Sequence, residues 1–348
     1  MIEGLDLLFA DQGRPSVFGL ANRLNEFISE NHGSGRLIMQ ERIKSQVYRL
    51  HFELEDEKLT LILKYMEGRN ARRNELVTRR WLPAVGLAQA GPPLLTTAGT
   101  PEGQFVWHIY SDLGSNSLAE DIDSKQKVEA AVRFIAEFHQ RFIDHPYMAE
   151  FRLYGGDLGI HFVESNFMDS ILVLETIAKD QKTKASHWTV VHRLLERVSA
   201  FMGQWPSRLK MMKELSGPET FLHGDLWPSN MFVLPDGQIR LIDWDRAAVG
   251  PIAYDLSTLI LRFPPQKRAG LMELYREAAH PTGWKIPTYK DLNLIFETFE
   301  FARYACVMIW PAIALWESGA DWALEQLEEI ERWFQAWEPI FPALEDAA

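Results

Sequence analysis

Apolar residues recur with two different periods along this chain. In "SQVYRLHFELEDEKLTLILKYM", residues 45–66, apolar and polar positions alternate on either side of the charged stretch Glu55 to Lys58, which predicts two β-strands joined by a turn. The following "NARRNELVTRRWLPAVGL" reads as a helix ending near Pro83. Beyond about residue 110 the period changes. Val128, Val132, Ile135, His139 and Phe142 recur at helical spacing, and further helices are predicted over Thr189–Met202, Asp291–Trp310 and Trp322–Trp337. The exception is "MFVLPDGQIRLIDWD", where two short apolar runs flank Pro235-Asp236-Gly237 and predict a hairpin. The pattern gives a sheet with one helix followed by a larger, mainly helical half, with no repeat or low-complexity linker between them.

Composition sharpens this division. A chain of 348 residues that is 47% hydrophobic exceeds what one small core holds and suggests two subdomains. The net charge of -12 opposes general nucleic-acid binding, which relies on clustered Lys and Arg. The single cysteine, Cys306, excludes an intrachain disulfide and a thiol-rich metal site and suits a reducing, cytoplasmic setting. The opening "MIEGLDLLFADQG" lacks the basic flank of a signal peptide, and the apolar run Tyr304 to Trp316 is short for a bilayer and contains Pro311, so no membrane association is expected.

The candidate chemistry gathers around the predicted hairpin. "FLHGDLWPSNMFV" carries His223, Asp225 and Asn230 just before it, and Asp243 and Asp245 stand at its far end. Asn and Asp oxygens converging there suit Mg2+, a hard cation that keeps some waters and shares its remaining positions with phosphate oxygens. A carboxylate left off the metal could accept a proton. There is no G-x-x-x-x-G-K-[ST] and no G-x-G-x-x-G, so P-loop and Rossmann nucleotide sites are excluded.

"HGDLWPSN" followed by "LIDWD" resembles the catalytic loop and metal-binding segment of the aminoglycoside phosphotransferase and choline kinase superfamily, relatives of protein kinases. The protein-kinase pattern H-R-D-x-x-x-x-N has the same Asp-to-Asn separation. The resemblance extends from about Ser45 to Leu261, where "AAVGPIAYDLSTLI" places Asp255 at the start of a buried helix. Asp255 is expected to cap that helix and tie it to the loop. The resemblance implies an α+β, bilobal protein-kinase-like fold, with a small N-terminal antiparallel-sheet lobe (1–109), a hinge (110–114) and a larger, mainly helical C-terminal lobe (115–348). It implies Asp225 as catalytic residue, Asn230 and Asp243 as Mg2+ ligands and His223 as a support for the loop.

The same resemblance implies the nucleotide contacts. Lys64, at the end of "LILK", would reach the α- and β-phosphates with Glu75 on the next helix as its partner. In "QERIKSQVYRLHF" the phosphate-covering turn carries Ser45 where kinases commonly use glycine. "FVWHIYSDLG" would supply hinge backbone groups from His108 to Ser111, with His108 and Tyr110 beside the nucleotide. In the terminal helices, Trp310, Trp316, Trp322, Trp333 and Trp337 accompany Glu297, Glu300 and Asp321. Carboxylates and indole faces suit an ammonium group, which makes Glu300, Asp321 and Trp322 candidate substrate residues. The function expected is transfer of the ATP γ-phosphoryl group, GTP not excluded, to a hydroxyl of an amine-bearing small molecule, most simply an aminoglycoside, by a monomer or homodimer. A kinase of choline, homoserine or a sugar is the alternative, ahead of a nucleotide-binding pseudokinase or a metal-dependent hydrolase built on His223 and the aspartates.

Overall fold

The computed structural model describes residues 2–9, 17–100, 103–180 and 185–341; Met1 and residues 10–16 of the opening segment lie outside them. The chain forms two compact units, one of residues 1–131 with 228–246 and the other of residues 132–227 with 247–348. This division differs from a single cut at 110–114. The hairpin segment returns to the N-terminal unit because Leu118 N–H donates to Met231 O (2.7 Å) and Val233 N–H to Asn116 O (2.9 Å).

The first unit is built on a six-stranded sheet of β1 (Ile2–Glu3), β2 (Gly35–Lys44), β3 (Val47–Leu54), β4 (Lys58–Glu67), β5 (Leu94–Gly99) and β6 (Phe105–Ser111). Their order is β1-β2-β3-β4-β6-β5, antiparallel throughout except for the β1/β2 pair. β3 has the alternation read from the sequence, with Tyr48, Leu50, Phe52 and Leu54 buried and the intervening residues partly exposed. These side chains form a core with Leu61, Leu63, Trp107 and Ile109 and with Leu20, Leu24 and Ile28 of a helix over Val17–His32. That helix and β2 were not among the predicted elements. Leu20, Leu24 and Ile28 recur at helical spacing, a signal for the helix that is present in the sequence, whereas most of β2 is exposed and carries no clear alternation.

Because successive strand residues point to opposite faces, the positions out of phase with this core share the other face. Ile62 and Lys64 of β4 and His108 and Tyr110 of β6 belong to it. The predicted helix after β4 runs over Gly68–Leu76 and continues through a π-helical turn, Val77–Trp81, into Leu82–Ala84. The hairpin pairs Met231–Val233 with Ile239–Leu241, and Gly237, at φ +83°, occupies a left-handed turn position that suits a residue without Cβ.

The second unit is mainly helical. The predicted helices span Ala185–Gly203, Tyr289–Ser318 and Asp321–Gln335, and helices at Met148–Gly155, Ile160–Lys179, Trp205–Leu215 and Pro265–Ala278 join them. A helix starting before the unit boundary runs over Lys125–Phe142. The Tyr289–Ser318 helix continues past Pro311, beyond the stop expected at Trp310, to a left-handed cap at Gly319. It is long and apolar enough by composition to cross a membrane, but 61% of its most apolar stretch is buried inside the protein, as a core helix requires.

His108 illustrates the cost of the polar sheet face. It is 1% exposed, and its Nδ1 lies 2.8 Å from the Tyr110 hydroxyl. Burial first, then the positive charges of Lys64 and Arg79, push its pKa from 6.5 down to about 4. The unfolded chain therefore binds a proton between those values that the folded chain does not. Stability falls as pH drops through that window, by up to about 1.4 kcal/mol per pH unit. His108→Gln should flatten this part of the profile. Denaturant titrations at pH 7, 6 and 5 measure it, and parallel profiles for variant and wild type would contradict the assignment.

Candidate active site

In the first unit, the polar sheet face borders a cavity of about 320 Å3 whose wall includes Val47, Ile62, Lys64, Asn230, Phe232 and Asp243. Lys64 lies on this face because its strand position is two residues beyond Ile62, and β4 continues past it to Glu67. Its Nζ donates to Asp243 Oδ1 at 2.6 Å and to Asp245 Oδ1 at 2.7 Å. Burial pulls the ammonium pKa down, but the charges and hydrogen bonds of both aspartates outweigh it and hold Lys64 above its ordinary value. Both carboxylates reach one ammonium because the chain turns sharply at Asp243, whose φ is +68°, before the 3-10 turn Trp244–Arg246. Asp tolerates this left-handed conformation better than most residues with a Cβ.

Asn230 is buried beside the same cavity, and its carbonyl accepts from Ile242 N–H at 3.0 Å, which ties the two ends of the hairpin together. Among the described residues no group of three or more His, Cys, Asp or Glu is gathered as a metal cage. The donor set of one amide oxygen and one carboxylate, Asn230 and Asp243, fits Mg2+ that completes its shell with phosphate oxygens and water.

In the second unit, the loop His223-Gly224-Asp225 follows the strand Glu219–Leu222 and is held by buried charge. Asp255 accepts from His223 N–H at 2.8 Å through one oxygen and from Gly224 N–H at 2.9 Å through the other. Its helix begins at Ala253, and its carboxylate serves the loop's N–H groups, so the expected tie is present while the expected cap is not. Burial pushes this carboxyl up, but the hydrogen bond and charge of His139, the charge of His223 and the Gly224 N–H together hold it below its ordinary value. Gly224 has φ +78°, so both its N–H and its C=O can be used by the surroundings. The C=O accepts from Arg303 at 2.9 Å. Arg303 is itself buried against Glu300, stacks on Tyr254 at 4.2 Å and donates to the Thr258 hydroxyl. Asp225, half-buried, has its N–H on His223 Nδ1 (3.3 Å) and its C=O on Trp227 N–H (2.9 Å).

A family model described as the phosphotransferase enzyme family, APH, matches residues 40–290. The chain belongs to this family. No curated protein matches it in sequence. Among solved structures it is similar to spectinomycin phosphotransferase APH(9)-Ia in complex with ADP and spectinomycin, at 14% identity and TM-score 0.57, covering 92% of this chain and 95% of that one. It is also similar to Plasmodium vivax ethanolamine kinase (12% identity, TM-score 0.58, 88% and 83% covered) and to choline kinase LicA from Streptococcus pneumoniae (14%, 0.52, 91% and 99%). At such identity these likenesses show the fold, which is protein-kinase-like. The protein is a small-molecule phosphotransferase acting on a hydroxyl group.

The phosphotransferase places several predicted residues differently from expectation. Lys64 is paired with Asp243 and Asp245, whereas Glu75 points along its own helix to Arg79 (3.0 Å) and Arg72 (3.9 Å). A neighbouring position, Asn74, faces inward and donates to Asp245 at 2.8 Å. His108 is committed to the sheet ladder, paired with Lys64 on one side and Thr97 on the other. The residues bordering the cavity are Tyr110 to Gly114, the stretch expected as the hinge, so of the backbone groups expected from His108 to Ser111 only the last two positions lie beside it. Ser45 is exposed in the two-residue turn between β2 and β3, and it is the flanking Lys44 and Val47 that line the cavity.

The expected amine-binding residues do not assemble. Glu300 is fully buried and accepts from Ser257 (3.1 Å) and Thr258 (3.2 Å), with Arg303 and Arg262 at 3.4 and 3.5 Å, so it is an internal ion-pair residue. Asp321 and Trp322 are exposed at the start of the last helix, and Trp333 is stacked on Tyr304. Another cavity of about 430 Å3 in the second unit, bordered by Arg208, Glu297 and Glu331, includes none of the predicted catalytic or metal residues. Sequence reasoning missed Asn74 and Arg303. A polar amide within a helix and an arginine within the apolar "FEFARYACVMIW" are the signals that mark them.

Asp255→Asn offers a direct test of the loop clamp. The loop N–H groups use different carboxylate oxygens, the NH2 that replaces one of them cannot accept, and leaving that N–H buried and unpaired costs roughly 1–3 kcal/mol. The variant should unfold at lower denaturant and lose turnover, with nucleotide affinity changed much less. Urea titration with parallel nucleotide binding checks this, and wild-type stability would remove Asp255 as the clamp.

Proposed function

We propose that this phosphotransferase moves the γ-phosphoryl group of ATP to a hydroxyl of a small molecule. The observation that carries the reading is the single cavity wall on which Lys64, Asn230 and Asp243 meet, next to an apolar slot of Val47, Ile62, Phe232 and Ile242. The slot suits a flat purine, the backbone from Tyr110 to Gly114 suits its polar edge, and the lysine suits phosphate oxygens. GTP fits the same description. When bound, Mg2+ held by Asn230 and Asp243 neutralises phosphate charge.

Asp225 is the catalytic residue in this reading. Its carboxylate orients the acceptor hydroxyl and accepts its proton late in transfer, since a loose phosphoryl-transfer transition state needs little prior deprotonation. The buried Asp255 and Arg303 hold the loop so that this carboxylate need not be ordered at each turnover. An amine-bearing acceptor remains the leading class, supported by the net charge of -12 and no longer by Glu300. Within that class an aminoglycoside leads, choline, ethanolamine and homoserine are the other amine-bearing candidates, and a neutral sugar is the competing class.

Asp225→Asn separates catalysis from binding. It should bind nucleotide with Mg2+ as the wild type does and lose phosphoryl transfer by about 10^2 to 10^4-fold. Calorimetric nucleotide affinity and single-turnover transfer, with the acceptor found by screening aminoglycosides, choline, ethanolamine, homoserine and neutral sugars for ATP consumption, provide the measurement. Undiminished transfer would remove Asp225 from the mechanism, and reaction with anionic or uncharged acceptors alone would overturn the amine reading.

A further inference from the structure

The lysine that faces the phosphates needs a fixed carboxylate, and the helix following its strand does not supply one. Glu75 is turned to Arg72 and Arg79 on the exposed side. The inward position is Asn74, a neutral amide that is 2% exposed. Its Nδ2 donates to Asn70 O at 2.9 Å and to Asp245 Oδ1 at 2.8 Å. The same Asp245 oxygen accepts from Lys64 Nζ at 2.7 Å, and the Asp245 main-chain carbonyl accepts from the Arg73 guanidinium. Asp245 is therefore fastened at both its side chain and its backbone to the helix, with Lys64 on the shared oxygen.

We propose that Asp245, fastened by Asn74 and Arg73, is the positioning residue of the phosphate-binding Lys64, in the place that a helix glutamate would otherwise fill. The proposal rests on the nucleotide-site reading above. Lys64 has two carboxylate partners, and Asp243 is the one assigned to Mg2+. Asp245 is the partner left to the lysine when the metal is held. A neutral Asn74 is then required, because a second carboxylate against Asp245 would repel it and compete for the ammonium. The lysine's position is thus set by the segment that also holds the metal, two residues beyond Asp243, and the helix acts through hydrogen bonds alone.

An exchange of the two side chains tests this. Asp245→Asn alone should weaken ADP binding about tenfold and raise the KM for ATP more than it lowers kcat. Asn74→Asp combined with Asp245→Asn keeps the shape and total charge, returns a carboxylate to the lysine from the helix side, and should restore ADP affinity to within about threefold of wild type. Isothermal titration with ADP, with and without Mg2+, gives a readout independent of turnover, and urea midpoints monitor folding. Unchanged ADP affinity in Asp245→Asn, or a folded double variant without recovery, would overturn the proposal. A loss of kcat with ADP affinity intact would also overturn it, since Asp245 would then serve the reaction directly.

Should Asp245→Asn fold poorly, the Lys64→Ala background decides. There the loss of Asp245 should change ADP affinity no further, and an additional loss would refute the coupling. Failure of the wild type to bind ADP would instead remove the nucleotide reading itself, which separates the two outcomes.

Discussion

An ammonium enclosed by two carboxylates is the constraint around which the first unit is organised. Lys64 reaches Asp243 and Asp245 across 179 and 181 residues of sequence, and all three side chains are largely removed from water. Taking charges out of water is costly, and the attraction offsets that cost only when geometry is tight and remaining polar atoms are satisfied. The surrounding structure meets this condition. Strand alternation places Lys64 on the face opposite the Tyr48, Leu50 and Trp107 core, the left-handed turn at Asp243 aims two acids at one cation, and Asn74 and Arg73 occupy further acceptor positions on Asp245.

The second unit solves a related problem with opposite charge. A loop must present Asp225 while burying its neighbours His223 and Gly224, whose backbone groups would otherwise lack partners. Asp255 takes two N–H groups and Arg303 takes a carbonyl. Burial pulls the Arg303 guanidinium down, but the surrounding Tyr254, Glu300, Asp225 and Asp255 hold it above its ordinary value, so it remains a cation inside the protein. Glu300 belongs to this internal balance, which is why a glutamate that looks suited to an amine in sequence is absent from the surface. The rigidity of the loop and the fate of Glu300 are one fact.

Local chemistry determined much of this protein from sequence alone. Alternation located β3 and β4, helical spacing located the helices at Lys125–Phe142, Ala185–Gly203, Tyr289–Ser318 and Asp321–Gln335 though not the one at Ile160–Lys179, and Pro-Asp-Gly marked the hairpin turn, because each depends on contacts a few residues apart. The order and spacing of His223, Asp225, Asn230 and Asp243 likewise made the family legible, and the family model covers them. Only the tertiary structure decided which acid meets Lys64, that Asn74 and not Glu75 faces inward, and that Glu300 is engaged by Arg303. Adjacent helix positions 74 and 75 differ by about 100° around the axis, and periodicity leaves open which of them faces a distant charge. Pairings between residues far apart in sequence are settled by the burial of whole elements, and a buried charge takes whichever partner that packing brings within reach.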